Sequence, residues 1–133
     1  MTTTLHVRFS ELDPYGHVNH AVHLQYFEQG RIEALAALGF GLLALQQRGF
    51  HLVVVEVHVR YLGPVVADDE LDVVSAVHEV RPASARWRQQ LRRGGDALAT
   101  AEVRTAVTDR DGRPARAPDD FLAALRRLTS DAV

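Results

Sequence analysis

From Val53 to Asp109 the chain keeps a two-residue period, broken at Gly63-Pro64, at Arg81-Pro82-Ala83 and at Gly94-Gly95-Asp96. That period sends successive side chains to opposite faces of a strand. Val53, Val55, Val57, Val59 and Tyr61 form one face of the first such segment, and Val54, Glu56, His58 and Arg60 the other. Leu71 to Val80 is expected as the next strand. Ser84 to Arg92 then sets Trp87, Gln89 and Leu91 against Arg86, Arg88, Gln90 and Arg92. Ala97 to Asp109 is the last, with Ala97, Ala99, Ala101 and Val103 small enough to let a helix come close. Gly94-Gly95-Asp96 reads as a hairpin turn. Strands joined this way pair antiparallel, and such a sheet needs a layer over one face.

The residues ahead of Gly49 supply that layer. Thr4 to Phe9 is rich in strand formers, and Ser10 to His17 holds a proline and a glycine that ask for a tight loop. Asn19 reads as an N-cap, and His20 to Leu38 runs without proline to Gly39, a natural C′ residue. Val22, Leu24, Tyr26, Phe27, Leu35 and Leu38 point several ways, which predicts a helix buried over most of its circumference. Leu42 to Arg48 has room for a short helical turn, and Pro118 at N1 is expected to open a helix through Leu128. The expected class is α+β: a five-stranded antiparallel sheet around one long helix, with a short C-terminal helix. A sheet covered by a single helix keeps open edges, which predicts pairing with a second copy.

At 133 residues, 47% of them apolar, the chain has the size and balance of one globular domain, taken as residues 1–133. A net charge of −2 gives no reason to expect a nucleic-acid partner. Cysteine is absent, which removes disulfides, thiolate nucleophiles and zinc–thiolate sites. Lysine is absent as well, so Schiff bases and P-loop phosphate binding go with it. Ala34 to Leu45, the longest apolar stretch, contains two glycines and falls short of the ~20 residues of a membrane helix. With no leader-like pattern after Met1, a cytoplasmic protein without membrane insertion is expected.

Asp13-Pro14-Tyr15-Gly16-His17-Val18-Asn19-His20, followed by Tyr26-Phe27-Glu28 and Arg31, resembles the signature of hotdog-fold thioesterases of the 4-hydroxybenzoyl-CoA thioesterase type. The resemblance extends through Tyr61-Leu62-Gly63-Pro64, Asp68-Asp69-Glu70-Leu71 and Ser84. It implies a hotdog fold, acyl-CoA or acyl-carrier-protein thioesters as substrate, no cofactor, and a homodimer that pairs into a dimer of dimers. It implies Asp13 as the catalytic carboxylate and puts the carbonyl-polarising N–H at His20, whose side chain matches a histidine that orients substrate or water in one branch. Gly16 and His17 are the implied substrate-binding residues of the loop, His17 chiefly by fixing its shape. Arg81 and Ser84 correspond to the coenzyme-binding positions, although Pro82 and Ala83 stand where the pattern has further basic residues.

The chemistry of those residues is consistent with that assignment. An aspartate is an anion at neutral pH and serves as nucleophile or base without activation. N–H groups at a helix start are unpaired and carry the positive end of the dipole, which suits an oxygen gaining charge. His17, His20 and His23 would fan over about 120° of a helix and do not converge, so no metal site is expected. Two rival functions remain. A non-catalytic acyl-thioester binder would share the fold without turnover. An enoyl-thioester hydratase would need an Asp–His spacing one residue longer than Asp13 to His17. No Gly-x-Ser-x-Gly occurs, which excludes a serine hydrolase of that type.

Overall fold

The computed structural model describes residues 1–129; residues 130–133 lie outside the described residues. Five strands, β1 (Thr2–His6), β2 (His51–Tyr61), β3 (Glu70–Arg81), β4 (Ser84–Arg93) and β5 (Asp96–Thr108), pair antiparallel in the order β1-β3-β4-β5-β2. Three helices accompany them: α1 (Val22–Ala37), α2 (Ala44–Gln47) and α3 (Asp119–Arg127). Two-residue turns close the central hairpins, Arg81 opposite Ser84 and Arg93 opposite Asp96. Gly94 supplies the positive φ, +58°, that the second turn requires. The connection after Tyr61 is longer, and it carries the chain from the β2 edge across to β3.

On β4 the alternation is as expected: Trp87, Gln89 and Leu91 are buried while Arg86 and Arg88 are exposed. The outward arginines pair across strands, Arg86 with Glu79 at 3.0 Å and Arg88 with Glu102 at 3.4 Å. β2 departs from the alternation read in the sequence. A bulge between Val54 and Glu56 inserts one residue, so Leu52 and Val54 share a face with Val57, Val59 and Tyr61, and Val53 turns to the other side. That face is largely exposed. Val57 and Tyr61 are 41% and 48% exposed, because β2 is an edge strand and α1 lies chiefly over β1, β3 and β4.

The long helix buries one stripe rather than most of its circumference. His23, Tyr26, Phe27, Gly30, Ala34 and Leu35 are buried at helical spacing, while Leu24 is exposed. Only one sheet face lies against it, and nothing among the described residues covers its far side. It settles tightly on β3 and β4 at Gly30, not over the alanines of β5. A Cβ at Gly30 would meet Val73 Cγ1 at 2.5 Å and Ser75 Oγ at 2.9 Å. The fully buried Gln89 stitches that contact. Its Nε2 donates to Phe27 O at 2.8 Å and Ser75 Oγ at 2.9 Å, and its Oε1 accepts from Arg31 Nη1 at 3.0 Å.

Three boundaries shift, each for a local reason. The first strand is Thr2–His6 instead of Thr4–Phe9, since Phe9–Glu11 winds into a 3-10 turn and the Glu11 carboxylate takes the Arg8 N–H. The long helix starts at Val22 with Ala21 as its N-cap; Asn19 caps the turn before it, accepting the Ala21 N–H on Oδ1 at 2.9 Å. Pro118 is the N-cap of α3 and not its first residue. The short turn expected within Leu42 to Arg48 is α2. Among the described residues no helix is long and apolar enough to cross a membrane.

Candidate active site

Residues 12–18 form a miniature hairpin. Leu12 pairs with Val18, and the Asp13 N–H donates to His17 O at 2.6 Å. The half-buried Asp13 carboxylate closes the loop from inside: Oδ1 accepts the N–H groups of Tyr15 at 2.8 Å and His17 at 3.1 Å. Oδ2 makes no hydrogen bond among the described residues. Gly16 takes a φ of +79° at the turn, which its lack of a Cβ permits, and its N–H donates to Asp13 O. The His17 side chain is exposed, so its part in the loop is played by its backbone.

Beyond the hairpin a run of hydrogen bonds fastens the chain on its way into α1. Val18 N–H donates to Val65 O at 2.7 Å, and Asn19 N–H to Glu11 O at 2.9 Å. The Asn19 carbonyl accepts from Val22 N at 2.9 Å and from His23 Nδ1 at 3.3 Å. The His20 carbonyl accepts the Tyr61 hydroxyl proton at 2.8 Å. The His20 N–H has no acceptor among the described residues. It is an orphan donor just ahead of the helix, at the position the family resemblance implies for carbonyl polarisation.

Buried groups under the loop support it. Glu11 accepts from the Tyr26 hydroxyl at 2.8 Å and from the Arg8 N–H at 2.8 Å. Burial, followed by the Glu11 carboxylate, pushes the Tyr26 hydroxyl pKa up, so it stays a donor. His23 is 4% exposed, with its ring edge-on to Tyr61 at 4.8 Å. Burial pushes its pKa down, and the nearby His20 acts in the same direction while the Asn19 carbonyl opposes both.

Arg81 and Ser84 lie at the β3–β4 turn, with Glu79, Arg86 and Arg104 around a shallow cleft of about 160 Å³. Arg81 Nε donates to Glu79. The Asp13 loop rests instead on Val65 and Val66, beside the other end of β4, where Arg93 binds Asp69 at 2.7 Å and Pro64 O. About 30 Å of strand separates the two ends at 3.3 Å per residue. Within one chain the structure therefore joins Asp13, Gly16, His17 and His20 and leaves Arg81 and Ser84 apart from them. Between α1, α2 and β2 a larger cleft of about 480 Å³ is lined by Ile32, Leu35, Phe40, Leu45, Phe50 and Leu52, with Glu28 and Arg31 on its helix side. Burial lowers the pKa of Arg31 there, partly offset by Glu28. No group of three or more His, Cys, Asp or Glu among the described residues is placed to hold a metal ion.

A family model described as the thioesterase-like superfamily matches residues 7–125. This chain belongs to that superfamily. It is 34% identical over 126 residues to the acyl-CoA thioesterase YbgC of Haemophilus influenzae, covering 92% of this chain and 91% of that one. A probable thioesterase from Bartonella henselae superposes with a TM-score of 0.86 at 28% identity, covering 89% of this chain and 98% of that one. A thioesterase from Thermus thermophilus, solved with coenzyme A and Zn, gives 0.83 at 30% identity, with coverage of 99% and 96%. The fold is the hotdog fold.

For a thioesterase-like chain, sequence reasoning finds the loop carboxylate and the orphan N–H but misses their supports. His23 enters it only as a third member of a metal cluster. Its distance of four residues from Asn19 is the available signal, since a side chain at i+4 reaches back over the preceding helical turn. Tyr61 and Glu11 carry no such signal, because their partners are 41 and 15 residues away.

Proposed function

We propose that this thioester hydrolase acts on acyl-CoA, with Asp13 as nucleophile or general base and the His20 N–H polarising the thioester carbonyl. One observation carries the mechanism: a carboxylate with one oxygen held by two N–H groups and the other unpaired stands on the same short hairpin that leads to the unspent His20 N–H. Anion and donor are both needed where a carbonyl carbon is attacked and its oxygen gains charge. As nucleophile, Asp13 forms an anhydride and expels the coenzyme thiolate, and water then releases the acid. As base, it takes a proton from the attacking water. Both routes give free acid and coenzyme A. The His20 side chain, exposed beside the donor, would orient substrate or water.

The bare β2 edge and its exposed inner valines favour a homodimer formed through that strand, with pairing into a tetramer as the next level. Arg81 and Ser84 then act from a neighbouring chain on the coenzyme phosphates, which resolves their distance from Asp13. The apolar cleft beneath α1 suits the acyl group. We assign the chain to the 4-hydroxybenzoyl-CoA thioesterase type within the superfamily, as a single-domain cytoplasmic enzyme. Asp13→Asn keeps the loop's acceptor oxygen but removes the anion. In a free-thiol assay over aryl, short and long acyl-CoAs, kcat should fall by roughly 10²–10⁴ with KM little changed. A variant with full activity would refute the assignment of Asp13.

A further inference from the structure

His23 and Tyr61 grip the two peptide units on either side of His20. The first unit contains the Asn19 carbonyl and the His20 N–H, which a planar trans peptide holds on opposite sides of one rigid plate. A carbonyl only accepts, so the His23 nitrogen facing it at 3.3 Å, Nδ1, carries the proton. The second unit contains the His20 carbonyl, which accepts from Tyr61 at 2.8 Å, and the Ala21 N–H, which donates to Asn19 Oδ1 at 2.9 Å. Their rings pack edge to face at 4.8 Å, so each holds the other in place.

We infer that His23 and Tyr61 are positioning residues: by holding the Asn19 and His20 carbonyls they fix the plate whose far side is the unspent His20 N–H, and so aim that donor at the substrate. This role rests on the proposed function, in which that N–H polarises the thioester. Neither side chain touches the reacting atoms in this account. The buried His23 contributes in a second way, because a carbonyl that accepts a hydrogen bond makes the N–H of the same peptide a stronger donor. A donor held in place before reaction needs no reorganisation as the oxygen gains charge, so losing the hold lowers kcat more than it raises KM.

The test compares wild type with His23→Phe, His23→Gln and Tyr61→Phe on one good acyl-CoA substrate, alongside Asp13→Asn. Phenylalanine keeps the ring and its packing on Tyr61 and removes the donor; glutamine keeps a donor. The expected result is a fall in kcat of roughly tenfold or more in His23→Phe, with KM within a factor of about two, and partial recovery in His23→Gln. A smaller fall is expected for Tyr61→Phe. In parallel, the backbone ¹⁵N order parameter of His20 should be that of rigid backbone in wild type and drop in His23→Phe. Equal kcat in wild type and both His23 variants, with an unchanged order parameter, overturns the inference while active wild type and inactive Asp13→Asn leave the proposed function standing. If His23→Phe does not fold, His23→Gln and Tyr61→Phe decide by the same two readings. If wild type hydrolyses no acyl-CoA, the proposed function fails, and the order parameter alone decides whether His23 holds the plate.

Discussion

At the scale of single residues, the two oxygens of the Asp13 carboxylate stand in different surroundings, which the proposed mechanism uses. Oδ1 is spent on two N–H groups that close the loop, and Oδ2, without a hydrogen bond among the described residues, is the oxygen the proposed reaction would use. Charge at the other end of the molecule plays a different part. Coenzyme phosphates do not change during hydrolysis, so arginines that bind them stabilise ground and transition states alike. Arg81→Ala should raise KM for acyl-CoA several-fold with kcat nearly unchanged, and the penalty should shrink as salt is added. A truncated thioester lacking the nucleotide provides the control; an equal loss there would mean that Arg81 is structural. His23 makes a further prediction at this scale. Burial holds its pKa in the folded chain below the ordinary 6.5. Between that lowered value and 6.5 the unfolded chain binds the proton and the folded chain does not, so stability falls as pH drops through this window. The melting temperature of His23→Phe should lose less than that of wild type when pH is lowered from neutral through it.

At the scale of elements, the contact between α1 and the sheet depends on one missing side chain. Gly30 lets the helix backbone settle onto Val73 and Ser75, near enough for Gln89 to bond the Phe27 carbonyl. Gly30→Ala would gain helix propensity, but its methyl would sit 2.5 Å from Val73 Cγ1. Overpacking of that kind costs about 1–3 kcal/mol. Chemical denaturation should therefore show a lower midpoint, in spite of alanine's preference for helix. The α1 burial stripe follows from the same contact, since a helix lying on one sheet through a glycine presents one face to it and leaves Leu24 outside. On β2 a single extra residue at the bulge exchanges the faces of Val53 and Val54, which strict alternation in the sequence does not reveal.

At the scale of the whole molecule, the proposed homodimer rests on what a single chain leaves open. The edge strand β2 shows unpaired backbone groups and a row of half-exposed valines, and Arg81, the arginine proposed to bind coenzyme, is remote from the carboxylate of its own chain. Light scattering at micromolar concentration should give a dimer or a tetramer. Val57→Arg on the inner face of β2 should shift the mass toward monomer and reduce activity with it; an active monomer would contradict the shared site. The sequence by itself determined the strands, the long helix, the hairpin turns and the Asp13 loop, because periodicity, turn residues and capping act between near neighbours in the chain. The tertiary structure alone decided which edge β2 takes, which stripe of α1 is buried, where the helix touches the sheet, and that Tyr61 and His23 hold the peptides around His20. Those outcomes depend on contacts between residues far apart in sequence, or on one inserted residue in a strand, and local pattern carries no record of either.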